Sequence, residues 1–177
     1  MREIRFRGKD ARTGEWRYGH YVVQHMPDPA DEGGPSRQFQ HVHAIFNDEP
    51  GIRQQGGYWH EVLYNTVGQF TGLKDKKGRD IYEGDIISVE FADGSGGNNL
   101  IGWNAEFGSF GCMNRYELKS IEEGYDFAAY NGYVLDAYRR KAVIFEVAGN
   151  IHDNPELIGG KPEPVAHLCK TCGNFPA

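Results

Sequence analysis

The chain has 177 residues, a formal net charge of −6, 24 glycines and 13% aromatic residues; this length favours one domain with room for an appended subdomain. Net acidity argues against a protein that simply coats nucleic acid or anionic lipid. The opening MREIRFRG lacks the apolar core of a signal peptide, no apolar run approaches ~20 residues, and three cysteines do not make a disulfide scaffold in a chain this long, so a cytoplasmic protein with no membrane association is expected.

Abundant glycine together with abundant aromatics predicts many short strands joined by tight turns. The first element is a hairpin. Ile4 and Phe6 alternate with Arg5 and Arg7, a turn at Thr13-Gly14 follows, and Trp16, Tyr18 and Val22 resume the alternation. Period two assigns Arg5 and Arg7 to the solvent face, where charge blunts edge pairing. Residues 26–37, MPDPADEGGPSR, read as a flexible loop. Strands are expected over His41 to Phe46 and Gly57 to Tyr64, with the loop NDEPGIRQQGG between them, which makes the N-terminal third the most mobile.

The stretch TVGQFTGLKDKKGRDIYEGDIISVEF, residues 66–91, poses the sharpest question: its glycines and acids either hold a ligand or bend the chain. Asp75 to Arg79 lies between Leu73 and Ile81 as a hairpin loop, with Gly78 at positive φ. Glu83-Gly84-Asp85 is a second turn that feeds a strand over Ile86 to Phe91. In that strand Ile87, Val89 and Phe91 share one face, and Ser88 and Glu90 share the other with Ile86. A phosphate-binding loop must open a helix, whose amides point at the anion. Strands follow both turns, so the glycines are read as bends. Asp93-Gly94 then begins a glycine-asparagine loop before a strand at Leu100 to Phe107.

Residues 116–138 are ambiguous. Val134, Ala137, Tyr138 and Lys141 fit a short helix, whereas Tyr130 and Tyr133 around Asn131-Gly132 fit a hairpin. Ala142 to Ala148 reads as a strand, and Asn154-Pro155 as the N-cap and first position of a short helical turn.

Three segments, REIRFRGKD, VGQFTGLKDKKGRDIYEGDII and VAGNIHDNPELI, resemble the YopX-like proteins of bacteriophages and prophages in order and spacing, over most of residues 1–158. The resemblance implies a mainly-β protein whose C-terminal portion is an SH3-like barrel, and it implies no activity. The expected organisation is a loop-rich N-terminal β portion at 1–72, a barrel at 73–158 with a minor short helix, and a linker and tail at 159–177. Neither the loop at 26–37 nor the tail belongs to the motif.

The tail holds Cys169-x-x-Cys172 with His167 nearby, the outline of half a zinc site. Four ligands are needed, so Cys112 or a second subunit would have to complete it. The readings weighed are an inert tail, zinc and redox chemistry, the last lacking its βαβ setting. No other cofactor is expected. His41-x-His43 on one strand and His60 on the next would place three imidazoles on one face, either as a zinc triad or as plain sheet surface. His60-Glu61-x-x-Tyr64 has tyrosine where a zinc protease needs histidine, and no His-x-Glu precedes the cysteine pair as a deaminase requires. No serine lies in a Gly-x-Ser-x-Gly elbow. Glu83 and Asp85 are read as acceptors of backbone hydrogen bonds, and Trp16, Trp59 and Trp103 as core, with base stacking as the alternative.

Charge is uneven along the chain. Residues 1–20 carry a net +3, and residues 80–136 a net −9. Self-association is the first expectation from this asymmetry, with an unknown protein partner beside it. The function expected is a non-enzymatic, phage-derived binding or assembly module. The alternative is weak, salt-sensitive nucleic-acid binding through Arg5 and Arg7 of the hairpin and Lys76, Lys77 and Arg79 of the loop. A metal-dependent enzyme built on the histidine strands is the distant third.

Overall fold

The computed structural model describes residues 3–27, 39–47, 58–105, 108–114 and 135–159. The chain divides into two compact units, Met1–Phe70 and Thr71–Ala177.

In the first unit, β1 (Phe6–Lys9), β2 (Trp16–Pro27), β3 (Phe39–Asn47) and β4 (Tyr58–Glu61) form an antiparallel meander. The start of β5 (Gly68–Lys74) pairs with the free edge of β1 through Phe6–Gln69 and Arg7–Gly68. β2 is longer than its sequence suggests and stays paired with β3 from His20–Phe46 to Pro27–Phe39. The strand expected to run to Tyr64 instead ends at Glu61, and a 3-10 turn occupies Tyr64–Thr66. Thr66 fixes that turn, since its Oγ1 accepts the Lys9 amide at 2.8 Å and donates to the Leu63 carbonyl at 2.7 Å.

Of the two arginines expected on the solvent face, Arg7 is buried and Arg5 is partly covered. Arg7 is only 7% exposed, with its guanidinium 4.6 Å from the centre of the Trp16 ring, and Arg5 lies at the same distance over Phe70. Alternation places these side chains correctly on the face opposite Phe6. What it cannot supply is the rings of β2 and β5 that share that face and cover the cations.

In the second unit, β5 continues past Phe70 to pair with β6 (Asp80–Tyr82). A four-stranded antiparallel sheet follows in the order β10-β7-β8-β9, from β7 (Asp85–Glu90), β8 (Gly96–Asn104), β9 (Ser109–Asn114) and β10 (Ile144–Asn150). Both faces of this sheet are covered. Ile87 and Val89 of β7 join Ile101, Cys112 and Phe145 in the larger apolar cluster. On the other face Ile86, Leu100 and Met113 form one cross-strand row, closed over by Ile158 of the 3-10 turn Pro155–Ile158. Asn154 and Pro155 stand at the N-cap and first position of that turn, though the cap makes no side-chain bond. Helix α1 (Leu135–Lys141) resolves the ambiguous region in favour of helix from Leu135 onward; the Tyr130–Tyr133 hairpin lies outside the described residues.

Three expectations for this unit change. β8 begins at Gly96, so the glycine-asparagine segment is strand, held by pairs from Glu90–Gly96 to Ile86–Leu100. β10 begins at Ile144, two residues later than its apolar run suggests. The protein is mainly β; its described residues form two antiparallel sheets and one short helix, and the described strands do not close into a barrel. No helix among the described residues is long and apolar enough to cross a membrane.

Candidate functional site

The acids of the glycine-containing turns are structural fasteners. Asp75 is buried, and its Oδ1 accepts the amides of Lys77 and Arg79 at 2.8 and 2.9 Å. Its Oδ2 accepts the Arg79 Nε at 2.8 Å and, from 72 positions along the chain, the Val147 amide at 3.1 Å. Gly78 closes the loop at φ 85°, as expected. Burial alone would raise the Asp75 carboxyl, but the donors from Val147, Arg79 and Lys77 outweigh it and hold the group below the usual range. Asp10 repeats the device in the first hairpin. Its Oδ1 accepts the Arg12 and Thr13 amides, and its Oδ2 meets Arg17 Nε and His60 Nδ1, each at 3.2 Å. The Arg12 amide is the largest influence; against the cost of burial it and the other donors keep Asp10 well below the carboxylate range.

Asp85 is 1% exposed and its Oδ2 accepts the Tyr82 amide at 2.8 Å, across the turn where Gly84 has φ 78°. The backbone-acceptor reading therefore holds for Asp85. Asp85→Ala is expected to lower unfolding free energy by about 2 kcal/mol, because a buried amide loses its acceptor. Urea denaturation measures this, and an unchanged midpoint would show that the bond contributes nothing.

The basic residues expected to meet a partner already have internal ones. Lys76 donates its ammonium to the Ala142 and Val143 carbonyls. Lys77 pairs with Glu146 at 2.6 Å, and Arg79 with Asp75. In the first unit Arg5 pairs with Glu3 at 2.7 Å and stacks on Phe70, and Arg7 covers Trp16. Cys112, offered as a fourth ligand for the tail, is buried in the larger apolar cluster. His167, Cys169 and Cys172 lie outside the described residues.

Strand register brings His41, His43 and His60 to one face of the first sheet, His60 opposite Ile45 and His41 two residues from His43. Each is then diverted. His60 bonds Asp10, and His43 Nδ1 shares a hydrogen bond with the Tyr21 hydroxyl at 2.5 Å. Burial first, and the neighbouring His41 second, lower the His43 pKa and keep the ring neutral; burial raises that of Tyr21 and keeps its proton in place. His41 instead faces His25 across the β2–β3 pair, with ring centroids 4.3 Å apart. Sequence reading did not single out His25, because its pairing with His41 depends on the β2–β3 register. No group of three or more histidine, cysteine or acidic side chains suited to a metal exists among the described residues.

Two tryptophans assigned to the core are at the surface. Trp59 is 47% exposed and rests on Phe46, ring centroids 5.2 Å apart; Trp103 is 46% exposed and meets Phe110 edge-on at 5.0 Å. Trp103 shares its sheet face with buried Ile101 and pairs with buried Phe110, so it extends the larger cluster to the surface; Trp59 pairs with Phe46 on β4, the last strand of its sheet.

These features define a mainly-β protein of two antiparallel units, whose motif residues build turns and whose aromatic residues reach the surface. The chain belongs to the YopX family: residues 5–159 match the family described as YopX protein. No curated protein matches it. Among solved structures it is similar to protein EF1440 from Enterococcus faecalis, at 22% identity and a TM-score of 0.42, covering 89% of this chain and 99% of that one.

Proposed function

We propose that this protein is a phage- or prophage-encoded, non-enzymatic binding and assembly module that associates with further copies of itself through exposed aromatic rings. The observation that carries the reading is the pair Trp59 and Trp103. Each is about half exposed and each is held by a second ring, Phe46 or Phe110. A pre-oriented, partly exposed indole loses little rotamer freedom on contact and buries a large apolar area. The carboxylates of Asp10, Asp75 and Asp85 support the non-catalytic side of the reading, because each accepts backbone amides that hold a turn. In this reading the second unit is of the SH3-like type that the family resemblance implies. Nucleic-acid binding through the hairpin and the 74–79 loop has less support, since Lys74, Lys76, Lys77 and Arg79 are engaged internally.

Sedimentation of the full chain at tens of micromolar protein tests the proposal. Association is expected, and it should persist in about 0.5 M salt, where charge contacts at the surface are screened. Trp59→Ser or Trp103→Ser should weaken it at least ~tenfold, the scale of an aromatic hot spot. A monomeric wild-type protein would overturn the reading.

A further inference from the structure

Histidine pairing on the first sheet goes beyond this reading. We infer that His25 and His41 form a two-imidazole site for a borderline divalent transition-metal ion, with Cu2+ bound most tightly of the series. The two residues are directly opposite one another in the β2–β3 register, and their rings approach to 4.3 Å between centroids at an interplanar angle of 58°. Both are exposed, so an ion reaches them from solvent. Opposite residues in an antiparallel pair have Cβ atoms about 5 Å apart, and imidazole nitrogen binds such ions at about 2.0–2.1 Å. One ion therefore spans the two rings with only side-chain rotation.

The backbone beneath is already fixed. Pairs flank the histidines on both sides, Gln24–Val42 before and Met26–Gln40 after, so metal binding does not have to order the strands. The nearby imidazoles are otherwise engaged, His43 with Tyr21 and His60 with Asp10. With two protein ligands, water completes the coordination. That donor set suits the tetragonal nitrogen-oxygen geometry of Cu2+, which also heads the affinity order for nitrogen ligands.

The test uses the full chain carrying Cys169→Ser and Cys172→Ser, which removes the tail thiolates from competition. One equivalent of Cu2+ is added, the ring nitrogens coupled to the ion are counted by electron paramagnetic resonance, and affinity is measured by competition with a chelator of known strength. Two coupled imidazoles are expected. His25→Gln and His41→Gln should each weaken binding by about 100-fold, the low end of what joining two ligands adds. His20→Gln, on the opposite face of β2, should leave binding unchanged. One coupled ring or none in this protein, with all its histidines in place, overturns the inference. Full binding after either His25 or His41 is replaced, or its loss with His20, overturns it as well. Because this site does not involve Trp59 or Trp103, its failure leaves the self-association proposal standing.

Discussion

Asp75→Ala is expected to lower unfolding free energy by about 4 kcal/mol, a large part of the 5–15 kcal/mol that holds a typical domain. The buried carboxylate serves four donors: the amides of Lys77, Arg79 and Val147 and the Arg79 guanidinium. Alanine removes every acceptor at once and leaves the Val147 amide of β10 without its partner. Asp75→Asn, which keeps the shape but presents only one carbonyl oxygen, should lose less. Asp93 is the natural comparison, since it accepts the Ser95 amide at 2.9 Å in an exposed turn where water can replace it. Asp93→Ala should leave the urea midpoint nearly unchanged. Similar midpoints for Asp75→Ala and Asp93→Ala would show that the link to Val147 is not stabilising.

The same carboxylate sets an acid limit. Its folded pKa is depressed, so its contribution is complete above the unfolded value and is lost as pH falls. Asp10 acts in the same direction. Stability should therefore fall below about pH 4, the range of an unperturbed carboxylate. His43, also depressed, adds an earlier loss as pH drops through about 6.5, because its neutral ring must then take up a proton. In Asp75→Asn the acid-side slope should be shallower. An unaltered slope would assign the acid sensitivity elsewhere.

Gly96→Ala carries the other large effect. Gly96 opens β8 at φ 152°, and a Cβ there would stand 2.1 Å from the Val89 carbonyl oxygen and 2.9 Å from the Glu90 Cα. Both obstacles are backbone of β7, held by the pairs Glu90–Gly96 and Val89–Gly97. The sheet must open or the strand must shift. With strain and overpacking combined, the cost is about 4 kcal/mol. Gly97→Ala isolates the clash, because Gly97 has a similar φ of 147° but open space around its missing Cβ. Chemical denaturation followed by Trp103 fluorescence should show a far lower midpoint for Gly96→Ala than for Gly97→Ala. Equal midpoints would mean that backbone strain alone, and not the contact with β7, fixes glycine at this position.

What the sequence determined by itself is the chemistry of the turns and the order of the strands. Gly14, Gly78, Gly84 and Gly94 all take positive φ, and Asp10, Asp75 and Asp93 each accept amides two to four residues on. These preferences act within a few residues, so a local pattern expresses them fully. Alternation in β7 likewise separates Ile87 and Val89 from Ile86, and the two sets enter two different clusters. Only the tertiary structure decided which faces are covered and which side chains meet. Arg7 is buried because Trp16 shares its face across the hairpin, while Trp59 and Trp103 remain half exposed. His41 meets His25, and Asp75 reaches Val147, through the register of strands that are distant in sequence. Period two fixes which side of a strand a residue occupies, but the partner on that side depends on pairings that no local stretch encodes.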